Sequence, residues 1–243
     1  MMDLSALDRH EKIALQFSGG KDSLACLFLL KDYWERLTVY HLNSGDSFPE
    51  RRAVVSDIRN LVPNFIEVRG YSNEVRQWCG IPSDIIPTSS ELFAKNNAGQ
   101  KKVPIIGRYD CCFQSINLPL HRQMIADGIT LIIRGQKSAD ADRSHVQSGD
   151  VLAGVEFQYP LDVWTDDTVL EYLAAIEAPI PRFYETMQNA PDCMTCTGWL
   201  EKGLGAYLRE YHPSEFAVYQ ERLRFIEKEV APFCDRLNAE ISP

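Results

Sequence analysis

Residues 17–23, FSGGKDS, restrict the fold of this chain more than any other stretch. The apolar run before them, KIALQF (12–17), is short enough for a buried strand. The run after them, DSLACLFLLKDYWERL (22–37), lacks Gly and Pro and predicts a helix. Two glycines, a lysine, an aspartate and two serines between such elements are too polar for either interior. They mark a tight strand-to-helix turn built to hold a ligand.

The same alternation continues. TVYHLN and NFIEVRG predict the next two strands, separated by a helix PERRAVVSDIRNLV with Pro49 at its first position. Repeated βα units imply a parallel sheet. The 71–107 stretch, rich in turn formers, predicts mostly loop and short helix, long enough to suggest a functional segment. CCFQSINLPLHRQMIADG is predicted helical on both sides of Pro119, followed by strands TLIIRG and GVEFQYPL. TDDTVLEYLAAIE predicts a helix capped by Thr165 with acids in its first turn, and PSEFAVYQERLRFIEKEVAPF a long terminal helix. This organisation suggests an α/β nucleotide-binding core over 1–164 and a helical C-terminal part over 165–243, the two forming one structural unit.

A glycine-rich turn opening a helix lets backbone N–H groups approach an anion closely, and the helix dipole favours negative charge there. Ser18, Gly19, Gly20, Lys21, Asp22 and Ser23 are therefore the candidate phosphate site, with Lys21 as its mobile cation. The competing reading is structural: Ser18 capping the helix and the glycines making a turn. Position decides for phosphate, because open parallel sheets bind ligands at the carboxyl ends of their strands. The spacing differs from the Walker loop, which disfavours a P-loop kinase or motor.

The segment resembles the PP-loop of the N-type ATP pyrophosphatases, and the chain from about residue 13 to 198 resembles the branch holding adenylyl-sulfate and phosphoadenylyl-sulfate (PAPS) reductases. NSGDSFPE (43–50) is similar to that family's Asp-Thr-Gly and Phe-Pro-Glu-Thr segment, with Asn43 and Ser44 as departures, and places Asn43 and Gly45 at the nucleotide. RGQKSADADRS (134–144) resembles its glycine and basic segment, giving Lys137 and Arg143 as anion contacts. YPLDVWTDDTVLEYL and DCMTCTG are similar to its Pro-Leu, Trp-Thr and Cys-x-x-Cys-Thr stretches. The resemblance implies an adenine nucleotide alpha hydrolase-like (Rossmann-like) fold. Its core would be a twisted, parallel five-stranded sheet with helices on both faces, here with a helical C-terminal extension.

Seven cysteines, an odd number in a chain expected to be cytoplasmic, argue against a disulfide framework. Four form two close groups, Cys111 with Cys112 and Cys193 with Cys196. Four thiolates suit tetrahedral zinc or a four-iron cluster; adjacent cysteines fit the separate irons of a cubane better than one zinc ion, which stays as the alternative. The resemblance implies that these four ligate a [4Fe-4S] cluster, as in the adenylyl-sulfate reductase branch. Cys26 and Cys234 are read as buried small hydrophobes.

Two departures bear on the reaction. Sulfonucleotide reductases carry a nucleophilic cysteine in a C-terminal Glu-Cys-Gly-x-His context; Cys234 and Cys79 both lack it. The reductases also have a degenerate PP-loop, whereas SGGKDS is intact here. An intact loop suggests ATP with Mg²⁺, cleaved between its α- and β-phosphates, with Lys21 and Asp22 as the catalytic candidates: Lys21 stabilising the departing pyrophosphate and Asp22 a metal-binding carboxylate or one that serves the helix dipole. Together with a cluster this points to sulfur transfer of the thiolation type. The alternatives are a reductase using an atypical cysteine and a non-catalytic nucleotide-binding iron-sulfur subunit or sensor.

A net charge of -9 argues against nucleic-acid binding by the whole surface. The run KNNAGQKKVPIIGR (95–108) nevertheless has four basic residues and no acid, and places Arg108 as an anion contact beside Cys111, where an acceptor such as a nucleic acid or a sulfonucleotide would be guided. A sulfur or electron donor protein is the further partner implied, and a homo-oligomer is compatible with the composition. The longest apolar run, LACLFLL, falls short of the roughly 18 to 20 residues of a membrane span, and the charged start MMDLSALDRHEK is unlike a signal peptide. A cytoplasmic location without membrane attachment is expected.

Overall fold

The computed structural model describes residues 5–87, 104–140, 145–200 and 203–242. Its elements follow as α1 (Ser5–Arg9), β1 (Ile13–Gln16), α2 (Lys21–Leu29), β2 (Leu37–Asn43), α3 (Pro49–Leu61), β3 (Phe65–Arg69), α4 (Ser72–Cys79), β4 (Ile81–Ser83) and β5 (Ile105–Gly107). After these come α5 (Arg108–Cys112), α6 (Leu118–Ala126), β6 (Leu131–Ile133), β7 (Val151–Leu152), β8 (Val155–Gln158), α7 (Asp166–Ala175), α8 (Leu204–Tyr211) and α9 (Pro213–Ile241). Two compact units result. One draws on residues 1–43, 48–69 and 119–184, the other on 44–47, 70–118 and 185–243, so their segments interleave along the chain.

The first unit holds a sheet of order β3-β2-β1-β6-β8-β7. The five expected strands all pair in parallel. A sixth, β7, adds antiparallel to β8 at the edge. Its cause is local: Ala153 (φ 50°) and Gly154 (φ 83°) both take positive φ, as a two-residue hairpin turn of type I′ demands.

Alternate residues of the inner strands serve two cores. Ile13, Leu15, Leu131 and Ile133 pack with Leu24 and Leu27 of α2, Val54 and Ile58 of α3 and Leu173 of α7. Ala14, Tyr40 and Ile132 pack with Leu120 and Met124 of α6 on the opposite face. Helices therefore cover both faces, as a buried parallel sheet requires. The predicted 22–37 helix is two pieces, because α2 ends at Leu29 and a 3₁₀ segment Lys31–Arg36 follows. The indole N–H of Trp34 donates to the carbonyl of Leu27 (2.8 Å), which gives a carbonyl at the end of α2 a side-chain donor and holds the tighter turn.

The second unit corrects the reading of 71–107 as loop and short helix. The short apolar runs around Ile81 and Ile105 pair as a two-stranded parallel sheet, β4 with β5, preceded by α4. Ile105 packs with Ile226 and Val230 of α9, which continues through Pro232 to Ile241 rather than ending near Phe233. Thr165 and Pro49 take the helix-start positions expected of them.

Candidate functional sites

The turn after β1 is set by close approaches. Gly19 has φ +78°, and a Cβ there would lie 2.8 Å from Val55 Cγ2 and 2.9 Å from Arg51 Cγ. Gly20 is the N-cap of α2 and gives it no side-chain hydrogen bond. Ser18 is not the cap: its Oγ accepts from the Gly20 amide (3.3 Å) and meets Ser23 Oγ at 3.1 Å, while Ser23 Oγ donates to the Gly20 carbonyl (3.0 Å). Both serines thus brace the loop. The Lys21 amide donates to the hydroxyl of Tyr184 (3.0 Å), from the 3₁₀ segment Arg182–Glu185, so a side chain far along the chain supplies the cap.

Lys21 and Lys137, far apart in sequence, meet here. Lys21 Nζ lies 3.1 Å from Asp22 Oδ2 and 3.1 Å from Asp166 Oδ1. Lys137 Nζ lies 2.6 Å from Asp22 Oδ1, 2.9 Å from Asp140 Oδ1 and 3.1 Å from the same Asp166 oxygen. Both lysines are buried, at 1% and 2% exposure, so each needs its carboxylates. Burial alone pulls the Lys21 ammonium below its usual range; Asp22, Tyr184 and Asp166 outweigh it, and the net shift is upward. Lys137 is raised likewise, burial being overcome by Asp22 and Asp140. Both stay cationic at neutral pH.

The loop after β6 reaches this point because Gly135 has no side chain: a Cβ there would sit 2.6 Å from the Asp22 carbonyl oxygen. Arg51, 3% exposed, lies over the rings of Phe48 and Phe183 (5.7 and 5.5 Å) and flanks Gly19, adding a third cation beside the turn. Of the other expected contacts, Asn43 donates from Nδ2 to Glu67 Oε1 (2.9 Å) at the carboxyl end of β2, and Gly45 (φ +79°) belongs to the second unit. Arg143 lies outside the described residues. Sequence reasoning missed Asp140, Asp166, Tyr184 and Arg51; the acids of TDDT were read as serving the helix dipole.

In the second unit, Cys111 and Cys112 on α5 and Cys193 and Cys196 from an irregular segment line one cavity of about 180 Å³. A π turn, Phe113–Asn117, follows the first pair, and Ser115 Oγ donates to the Cys111 carbonyl (2.6 Å). Arg76, Arg108, Asp192 and Trp199 complete much of the wall. Burial, then the charge of Cys193, pushes the Cys111 thiol up to about 11; the same two causes push Cys196 up to about 12. Cys112 is raised by burial and Asp192, and Cys193 by burial against the opposing pull of Arg76 and of a bond to Ser72 Oγ (3.2 Å). Four such thiols stay protonated until a cation joins them.

Behind Cys193, Arg76 pairs with Asp46 (2.9 Å) and Thr195 Oγ1 donates to the same carboxylate (2.6 Å). Arg222 donates to the Thr195 carbonyl (2.9 Å). Arg108 lies 4.5 Å over the Trp199 ring and 3.2 Å from Asp84; the remainder of its basic run, 95–103, lies outside the described residues. The four side chains are all cysteine, the residue type that ligates iron-sulfur clusters once it is deprotonated. Among the described residues no group of three or more Cys, His, Asp or Glu is placed to hold a metal ion.

Of the remaining thiols, Cys26 is buried in the core as expected. Cys234 is exposed, correcting its reading as a buried residue, because α9 buries nothing beyond Val230. Cys79 is partly buried, its Sγ 3.6 Å from Gln114 Oε1, and burial raises its thiol.

The profile of the phosphoadenosine phosphosulfate reductase domain matches residues 12–199, and the chain belongs to that family. Among solved structures, the phosphoadenylyl-sulfate (PAPS) reductase of Candida auris, in a phosphate complex, matches with TM-score 0.48 and 12% identity over 74% of this chain and 80% of that one. The FMN adenylyltransferase of Candida glabrata, with FMN and the ATP analogue AMPCPP, matches with TM-score 0.42 and 17% identity over 73% and 53% of the two chains. Yeast FAD synthetase with FAD gives 0.41 and 13% over 75% and 56%. The chain thus spans little more than half the length of the last two. No curated protein matches it. Among the described residues no helix is long and apolar enough to cross a membrane.

Proposed function

We propose that the protein binds ATP at Ser18–Ser23 and cleaves it to pyrophosphate, passing adenylate to an acceptor in sulfur-transfer chemistry. The observation that carries this reading is the meeting of buried Lys21 and Lys137 beside an intact Gly-Gly turn, at the carboxyl ends of β1 and β6. An acceptor oxygen attacks the α-phosphorus, the bond from that phosphorus to the bridging oxygen breaks, and pyrophosphate leaves with the electron pair. The turn holds the phosphates once the Gly20 and Lys21 amides exchange Ser18 Oγ and the Tyr184 hydroxyl for phosphate oxygens, while the Ser23 hydroxyl braces the loop. Lys21 and Lys137 neutralise the charge growing on the leaving group, Asp22 orients both ammonium groups, and Mg²⁺ accompanies the nucleotide.

Cys111, Cys112, Cys193 and Cys196 would hold the [4Fe-4S] cluster. When bound, such a cluster supplies sulfur-transfer or one-electron chemistry. Arg76 lowers the cost of making Cys193 a thiolate, as loading requires. Zinc is the alternative occupant. The test of the ATP reading is release of AMP and pyrophosphate from Mg-ATP across a panel of anionic acceptors, nucleic acid included. Lys21→Ala should lower the rate about 100-fold or more. Nucleotide binding without turnover under every acceptor would leave the non-catalytic subunit instead.

Reduction of a sulfonucleotide is the second reading, favoured by the reductase profile itself and by a solvent-exposed Cys234. Sulfite release from adenylyl sulfate or PAPS, abolished by Cys234→Ser or Cys79→Ser, is what it requires.

A further inference from the structure

Among the described residues, the two ammonium groups of Lys21 and Lys137 meet three carboxylates, Asp22, Asp140 and Asp166. The exposures are ordered: Lys21 and Lys137 are at 1% and 2%, Asp22, Asp140 and Asp166 at 27%, 30% and 23%, so the carboxylates form the solvent side of the cluster.

The three carboxylates are tied down differently. Asp22 is the neighbour of Lys21 in α2 and spans the pair with its two oxygens. Asp140 is held to Lys137 twice, accepting from its backbone amide through Oδ2 (2.8 Å) and from its ammonium through Oδ1. Asp166 alone comes from a distant segment, the first residue of α7, and one of its oxygens stands 3.1 Å from each ammonium. One oxygen between two cations is the arrangement a non-bridging phosphate oxygen would adopt.

Resting on the ATP reading above, we propose that Asp166 is a placeholder for phosphate. It holds the two lysines in register while the site is free of nucleotide, gives up its bridging position to a phosphate oxygen, and takes it back as pyrophosphate departs. Without Asp166, Lys21 keeps Asp22 and Lys137 keeps Asp22 and Asp140, so neither buried ammonium loses its carboxylate partner. The carboxylate is thus dispensable for burying the lysines and opposes the ligand. It makes Asp166 a residue that sets affinity and product release.

The experiment is calorimetric titration of the full chain with ATP and with inorganic pyrophosphate, both in a chelator that removes divalent cations. It compares wild type, Asp166→Asn, Asp166→Glu and Asp167→Asn. Asp167 is exposed in the same helical turn and matches the charge change of Asp166→Asn without joining the lysine cluster. Asp166→Asn should tighten both ligands by roughly ten- to a hundredfold, the scale of one like charge removed near the site, and slow pyrophosphate dissociation. Asp167→Asn and Asp166→Glu should stay near wild type. Equal or weaker binding by Asp166→Asn overturns the placeholder role, as does a matching gain in Asp167→Asn, which would make the effect one of net charge. Should Asp166→Asn fail to fold, a pyrophosphate affinity for Asp166→Ser no tighter than wild type would overturn it too. If wild-type protein binds neither ligand even with Mg²⁺ restored, the ATP reading has failed and this inference falls with it.

Discussion

Gly135 carries no chemistry, yet the lysine cluster depends on it. A methyl group there would press against the carbonyl carbon (2.7 Å) and oxygen of Asp22 and the amide of Ser23 (2.9 Å), backbone atoms that cannot swing aside. Gly135→Ala should destabilise the protein by about 1–3 kcal/mol in denaturant unfolding and weaken nucleotide binding, because the strand-following loop that delivers Lys137 must back away. Unchanged stability would show that the loop is softer than this packing implies. At this scale the turn was legible: Ser18, Gly19, Gly20, Lys21 and Ser23 are adjacent in sequence and their chemistry follows from their order. Tyr184, Asp140 and Asp166 were not, since their partners are set by tertiary contact between segments up to 163 residues apart. Nothing local in TDDT tells a carboxylate at a helix start that serves the dipole from one that bridges two lysines.

Among the elements, α9 divides into a half that packs and a half that does not. Ile226 (7% exposed) and Val230 (8%) meet Ile105 of β5, whereas Leu237 is 61% exposed. Ile226→Ala should cost about 2–4 kcal/mol, and Leu237→Ala within about 0.5 kcal/mol of nothing; thermal unfolding of the two variants side by side checks this. A second element-level contact ties the chain before β1 to β8. The Glu156 carboxylate receives Arg9 (3.0 Å), His10 (2.9 Å) and Gln158 (2.8 Å). Burial would raise its pKa, but the bonds from Gln158 and His10 and the charge of Arg9 outweigh burial, and the group titrates below the ordinary 4.5. A carboxyl depressed in the folded state contributes stability that is fully present above about 4.5 and is lost as pH falls below that value. Glu156→Gln should therefore be less stable at neutral pH and show a shallower decline in acid; an unchanged acid limb in urea titrations would count against the contact. The five parallel strands were legible because each is a short apolar run between polar turns. The β4–β5 pair was not, since three-residue strands carry too little periodicity to stand out from turn-rich surroundings.

At the scale of the whole molecule, the lysine cluster lies in one compact unit and the four cysteines in the other. The four cysteines picked out by their spacing line one cavity, whereas buried Arg76 and half-buried Arg222 near them were beyond sequence reasoning, as nothing in their neighbourhoods marks them. Anaerobic reconstitution with iron and sulfide should give close to four irons per chain with a broad visible absorption, and Cys193→Ser should lower that content sharply. One zinc per chain with no iron uptake would replace the cluster by its alternative. The most direct test of the central claim is the choice of nucleotide by the intact turn: calorimetric titration of cluster-characterised protein with Mg-ATP, and separately with PAPS and adenylyl sulfate. ATP should bind, Lys21→Ala should lose it, and both sulfonucleotides should bind weakly or not at all. Tight binding of the sulfonucleotides with weak ATP would contradict that claim and return the protein to the reductases.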